Sequence, residues 1–267
     1  MEAPIGVFDS GIGGLTVLAA LVKALPHERF VYLGDTARLP YGTKSAQTVE
    51  RYAVQAAQAL MARDVKCLVV ACNTAAAVGL EAVRARAGGL PVIGVIEPGA
   101  EAACAATRSG HIAVIATEAT VRGGAYQRAI LERRPDAQVV QLPTQLLVAL
   151  AEEGLVEGPV AQGVISHYLG QLSAQDPPDT LVLGCTHFPA LAPAIRQVVG
   201  PMVCIVDSAQ TTAAAVRTQL MATGLARTTG TQSVQFIATD GPERFARVGS
   251  RFLGRDIEVR RIELIDL

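Results

Sequence analysis

Residues 68–76 read LVVACNTAA and residues 181–190 read LVLGCTHFPA. Each stretch opens on aliphatic residues, passes one small residue, then presents a cysteine followed by a polar residue. A short continuous apolar run marks a strand covered on both faces, as in a parallel sheet flanked by helices. A cysteine just past such a strand stands where open α/β sheets hold their ligands. The same unit occurs twice, with Cys72 and Cys185 in matching places.

Working outward from this pair, the repetition extends to four units. IGVFDSGIGG at Ile5 matches IAVIATEATVRGG at Ile112, and YLGDT at Tyr32 matches VQLPT at Val140. PVIGVIEP at Pro91 matches PMVCIVDS at Pro201. Four units in the same order at nearly constant spacing indicate internal duplication. Further apolar runs, FVYL at Phe30 and CLVV at Cys67, read as buried strands. Residues 45–61 place Val49, Tyr52, Ala53, Ala56 and Leu60 on one helical face. The helix from Leu15 should stop at Leu25-Pro26. The expected fold is α/β, with two pseudo-symmetric parallel-sheet domains and the active site in the cleft between them. One domain is expected over 1–97 and the second over 98–208. Residues 209–267, with SVQFIAT and IEVRRIEL as strands, are expected to return to the first domain.

Composition narrows the class. The 267 residues carry 23 Lys and Arg against 24 Asp and Glu, so a nucleic-acid footprint, which needs a basic face, is not expected. Half the residues are hydrophobic, yet no apolar run has the length of a membrane span. The opening MEAPIGVFDS shows no basic region ahead of an apolar stretch, so no signal peptide is expected. Five cysteines are an odd number without C-x-x-C spacing, which argues against a disulfide framework and for a reducing cytoplasm.

The loops after the strands hold the candidate chemistry. DSGIGG has glycines for a tight turn, but Thr16 stands where G-x-G-x-x-G needs its third glycine, and no Walker sequence occurs. Anion binding by backbone N–H groups at a helix start remains open. A buried cysteine is commonly just a small apolar residue, which suits Cys67, Cys104 and Cys204. Cys72 and Cys185 differ in occupying duplicated loops, each ahead of a helix whose positive end favours thiolate. Two thiols on opposite sides of a cleft can take a proton from one face of a tetrahedral carbon and return one to the other. Asp9 and His187 lie in adjacent loops to assist, although Asp9 could serve as a helix cap and His187 as a structural histidine. Pyridoxal chemistry needs a Schiff-base lysine, and Lys23, Lys44 and Lys66 are all poorly placed for it. A metal at Cys72, Cys185, His187 and Asp207 has no supporting ligand spacing.

Together DSGIGGLTVL, GDTARLPYG, ACNTA, TEATVRGGAY, AEEG, GCTHFP and VDSA resemble the glutamate racemases of the aspartate/glutamate racemase superfamily, across residues 5–208. The resemblance implies a cofactor-independent, metal-free isomerase that interconverts L- and D-glutamate in the cytoplasm and supplies D-glutamate for peptidoglycan and cell shape. It implies Cys72 and Cys185 as catalytic acid/bases, with Asp9 supporting the first and His187 and Glu152 the second. Substrate contacts carried over by motif are Asp9, Ser10, Tyr41, Gly42, Asn73, Thr74, Thr186 and His187, with Thr117 and Thr120 adding to them. The implied partner is glutamate, with no nucleic acid or membrane, and a homodimer is a candidate assembly. The family's Cys-Pro-containing version of the stretch before the acid is replaced here by LPTQLLVALAEEG, which leaves Glu152 against Glu153 open. A racemase of aspartate or a related acid, and a non-catalytic binding protein on the same scaffold, are the alternatives.

Overall fold

The computed structural model describes residues 2–172 and 177–267. The chain begins with β1 (Ile5–Asp9), α1 (Leu15–Ala24), β2 (Arg29–Gly34), α2 (Ala46–Met61) and β3 (Cys67–Val70). It continues through α3 (Asn73–Arg86), β4 (Val92–Gly94) and α4 (Ile96–Ala106). A second series follows: β5 (His111–Ala116), α5 (Glu118–Gly123), α6 (Ala125–Arg133), β6 (Gln138–Pro143), α7 (Leu146–Glu153) and α8 (Gly158–Leu169). Then come β7 (Thr180–Gly184), α9 (Ala192–Val199), β8 (Cys204–Asp207) and α10 (Ser208–Ala222). The chain closes with β9 (Ser233–Ala238), α11 (Pro242–Leu253) and β10 (Ile262–Leu264).

Two sheets result, both parallel throughout. The first runs β10-β9-β2-β1-β3-β4 and the second β6-β5-β7-β8. With β9 and β10 set aside, the two orders are the same, 2-1-3-4 against 6-5-7-8, as the duplicated loops require. β1, β5 and β7 are buried along their whole length, which explains their unbroken apolar runs. Helix α2 buries Val49, Ala53, Ala56 and Leu60 and is capped by Ser45, whose hydroxyl accepts from the Thr48 N–H at 3.4 Å.

Three local readings are corrected. The repeat unit PVIGVIEP, expected to open on a strand through Ile96, is strand only over Val92–Gly94, because Val95 already has helical backbone angles and caps α4. IEVRRIEL forms a strand only at Ile262–Leu264, with Val259–Arg261 a 3-10 turn whose two arginines are exposed. Cys204 is exposed rather than packed, since β8 is an edge strand.

Candidate active site

Parallel pairing sends the carboxyl ends of β1, β3, β5 and β7 to one side of their sheets, and the loops that follow them meet around one small cavity. Among its lining are Cys72 and Cys185. Ser10, Tyr41, Gly42, Asn73, Thr74, Thr117, Glu152, Thr186 and His187 line it too. Asp9 and Thr120 stand behind this lining, both fully buried.

Cys72 caps α3, its sulfur accepting from the Ala75 N–H at 3.4 Å, while its S–H donates to the Ser10 hydroxyl at 3.4 Å. The helix dipole alone would favour thiolate here. Burial outweighs it, and with the nearby Asp9 charge pushes the Cys72 thiol up to about 12. Asp9 is itself raised by burial, against opposing pulls from His187 and backbone N–H groups. One Asp9 oxygen accepts from the Gly11 N–H at 2.9 Å; the other is buried without a hydrogen-bond partner among the described residues.

The opposite wall is built differently. Cys185 Sγ lies 3.7 Å from His187 Nδ1, and His187 Nε2 lies 3.1 Å from Glu152 Oε1. Arg244 of α11 donates to Glu152 Oε2 at 2.8 Å. Burial works against a charged His187, but hydrogen bonds and charges from Cys185 and Glu152 prevail and raise it to about 10. Burial raises Glu152 too, and His187 and Arg244 overcome that to hold its carboxyl below the usual range. Phe252 meets the His187 ring edge-on at 5.4 Å.

Further contacts lock the walls together. A Cβ on Gly13 would fall 2.4 Å from His187 Cε1, so only glycine lets the DSGIGG loop approach that ring. Thr16 donates to the Thr186 carbonyl at 2.7 Å, so the residue that spoils the dinucleotide pattern joins the two halves. The hydroxyls of Thr74, Thr117 and Thr120 form a triangle with sides of 2.8, 2.9 and 3.2 Å. Asp35 organises the loop carrying Tyr41, accepting from the Tyr41 hydroxyl and from Arg38 Nε at 2.7 Å. The Tyr41 hydroxyl is thereby engaged. Tyr126, outside the residues singled out from sequence, donates to Asn73 Oδ1 at 2.8 Å. Gln145 and Val148 also line the cavity unforeseen. Glu152 rather than Glu153 faces His187; Glu153 is 60% exposed and pairs with Arg244 at 3.6 Å.

None of the three lysines lines the cavity; Lys66 pairs with Glu28 at 2.6 Å elsewhere. Among the described residues no group of three or more His, Cys, Asp or Glu side chains is arranged to hold a metal ion. No helix there is long and apolar enough to cross a membrane.

Comparison with known proteins matches residues 5–216 to the family model described as Asp/Glu/Hydantoin racemase. The chain belongs to that family. As a racemase it is an isomerase. It is 50% identical over 94% of its length to a glutamate racemase of Geobacter metallireducens, covering 92% of that protein. It is 48% identical over its whole length to a glutamate racemase of Neisseria meningitidis, covering 97% of it. Among solved structures, the racemase superposes on a Francisella tularensis glutamate racemase in complex with D-glutamate with a TM-score of 0.92. That pair is 35% identical, with 99% and 98% of the two chains covered.

Proposed function

We propose that this racemase interconverts L- and D-glutamate by two-thiol acid–base chemistry, with Cys72 and Cys185 facing opposite sides of Cα. The relatives at half identity carry the glutamate racemase name, and a fold neighbour binds D-glutamate, which supports the substrate. The observation that carries the mechanism is the unlike support of two cysteines in one cavity. Cys72 sits beside Ser10 and a buried carboxylate, while Cys185 sits beside a cationic histidine.

An imidazolium next to sulfur supports thiolate, and a buried carboxylate next to sulfur supports thiol. In this reading Cys185 acts as the base toward L-glutamate and Cys72 as the acid. Cys185 then takes the Cα proton of L-glutamate, leaving the electron pair on a carbanion at Cα, and Cys72 next gives its proton to the other face, forming D-glutamate. The thiols finish in exchanged states, and the reverse reaction runs from there. Developing negative charge on the α-carboxylate side is met by neutral donors: Asn73, Thr74, Thr186 and backbone N–H groups at the start of α3. Within this reading residues 1–97 with 209–267 form one domain and 98–208 the other. The product is D-glutamate for peptidoglycan, made in the cytoplasm, where free cysteines stay reduced.

The test is D-glutamate in 2H2O with EDTA and no added cofactor. L-glutamate should form carrying deuterium at Cα. No turnover of either enantiomer, or turnover that keeps the original Cα hydrogen, would contradict the proposal.

A further inference from the structure

Helix α11, from the C-terminal segment, reaches the Cys185 wall at three points. Arg244 donates to Glu152 Oε2, Phe252 abuts the His187 ring, and Arg251 lies over Gly154 at the end of α7. The two oxygens of Glu152 are divided between two partners, Oε1 for His187 and Oε2 for Arg244. The Cys72 wall has no counterpart: one Asp9 oxygen takes a backbone N–H and the other takes nothing among the described residues.

We propose that Arg244 is a positioning residue for the Cys185 face, acting through Glu152 and His187. It rests on the two-thiol reading above. A glutamate at the end of a helix has three rotatable bonds, and Glu153 beside it repels it. A guanidinium on the outer oxygen fixes the rotamer that aims the inner oxygen at His187. Glu152 then stays ionised and His187 stays properly turned toward Cys185. The charged groups facing Glu152 are His187 and Arg244; Cys185 lies beyond the histidine, Glu153 shares Arg244, and Arg251 lies over the neighbouring Gly154. Removing Arg244 takes away one of two cations that lower Glu152, so Glu152 must titrate at higher pH.

Arg244→Met and Arg244→Lys test this, with thermal unfolding as the check on folding. The equilibrium between enantiomers is unity by symmetry, so kcat/KM must fall equally in both directions. For Arg244→Met the fall is about threefold, the scale of a half-exposed ion pair, and the acid limb of the pH profile moves up by about half a unit. With Cα-deuterated substrates the primary isotope effect should rise for the enantiomer deprotonated by Cys185. It should fall for the one deprotonated by Cys72, and Arg244→Lys should restore part of each change. A merely structural role would lower stability or activity without moving the acid limb or splitting the isotope effects, and that result overturns the proposal. The 13C resonance of the Glu152 carboxyl, assigned by its loss in Glu152→Gln, gives a readout independent of turnover. It should titrate at higher pH in Arg244→Met, and an unmoved titration overturns the proposal. Should the wild type fail to racemise glutamate, the functional reading falls while this titration still decides the role of Arg244.

Discussion

The Thr16 hydroxyl donates to the Thr186 carbonyl at 2.7 Å, across 170 residues of chain. Helix α1 of the first sheet thereby holds the loop that carries Cys185 and His187. Gly13, one turn earlier, lies so close to the His187 ring that any side chain there would displace it. The loop of one half is thus a mould for the histidine of the other.

Thr16→Val removes this donor while keeping the side chain's shape. It should cost about 1 kcal/mol, a melting point lower by about 3 °C. Gly13→Ala should fold and lose about a hundredfold in turnover, because displacing a reacting group by about an ångström costs that much. Melting curves and racemisation rates read the two effects, and an active Gly13→Ala would refute the mould.

Asp9→Asn should separate stability from activity. The folded-state pKa of Asp9 lies above its ordinary 3.8, so its charged form costs stability once pH rises past that value. Asparagine abolishes the cost. The variant should melt about 2 °C higher than wild type at neutral pH, lose that advantage at pH 3, and racemise poorly. Melting points at the two pH values check the sign.

Much of the candidate site can be read from the chain, because the cysteines, Asp9 and the threonines sit at the carboxyl ends of strands or in the first turns that follow them. The duplicated pattern marks those loops as a facing pair. The phase of α7 separates Glu152 from Glu153, and neighbouring letters cannot show that phase without the packing of the helix. Arg244 and Phe252 escape for a different reason: α11 reaches the site from the far end of the chain, and no local periodicity encodes that contact. Tyr126 lies inside a recognisable motif, but its bond to Asn73 depends on the approach of α6 to α3. Cys204 misleads because an edge strand and a central strand share the same apolar lettering.

The two acids can be told apart by substitution. Glu152→Gln should lower kcat/KM about tenfold to a hundredfold, the scale of a lost charged hydrogen bond, and Glu153→Gln should change it by less than about twofold. Initial rates by circular dichroism decide; equal losses would contradict the geometry.

His187 gives the protein an alkaline limb. Its folded-state value of about 10 lies above the ordinary 6.5, so the stability it contributes is complete below about pH 6.5 and is lost as pH rises through 10. Glu152 is shifted the other way, so its contribution is present above the ordinary 4.5 and is lost as pH falls through its lowered value. Activity should therefore decline above about pH 10 as the imidazolium deprotonates, and His187→Gln should erase that decline. A pH–rate profile of wild type and variant checks it.

The two-thiol claim is tested most directly by the racemisation rates of Cys72→Ser and Cys185→Ser, measured by circular dichroism from both enantiomers. The account predicts that each variant loses at least about a hundredfold in turnover while remaining folded, since each removes one of two essential proton-transfer groups. Near-normal turnover in either variant would contradict it.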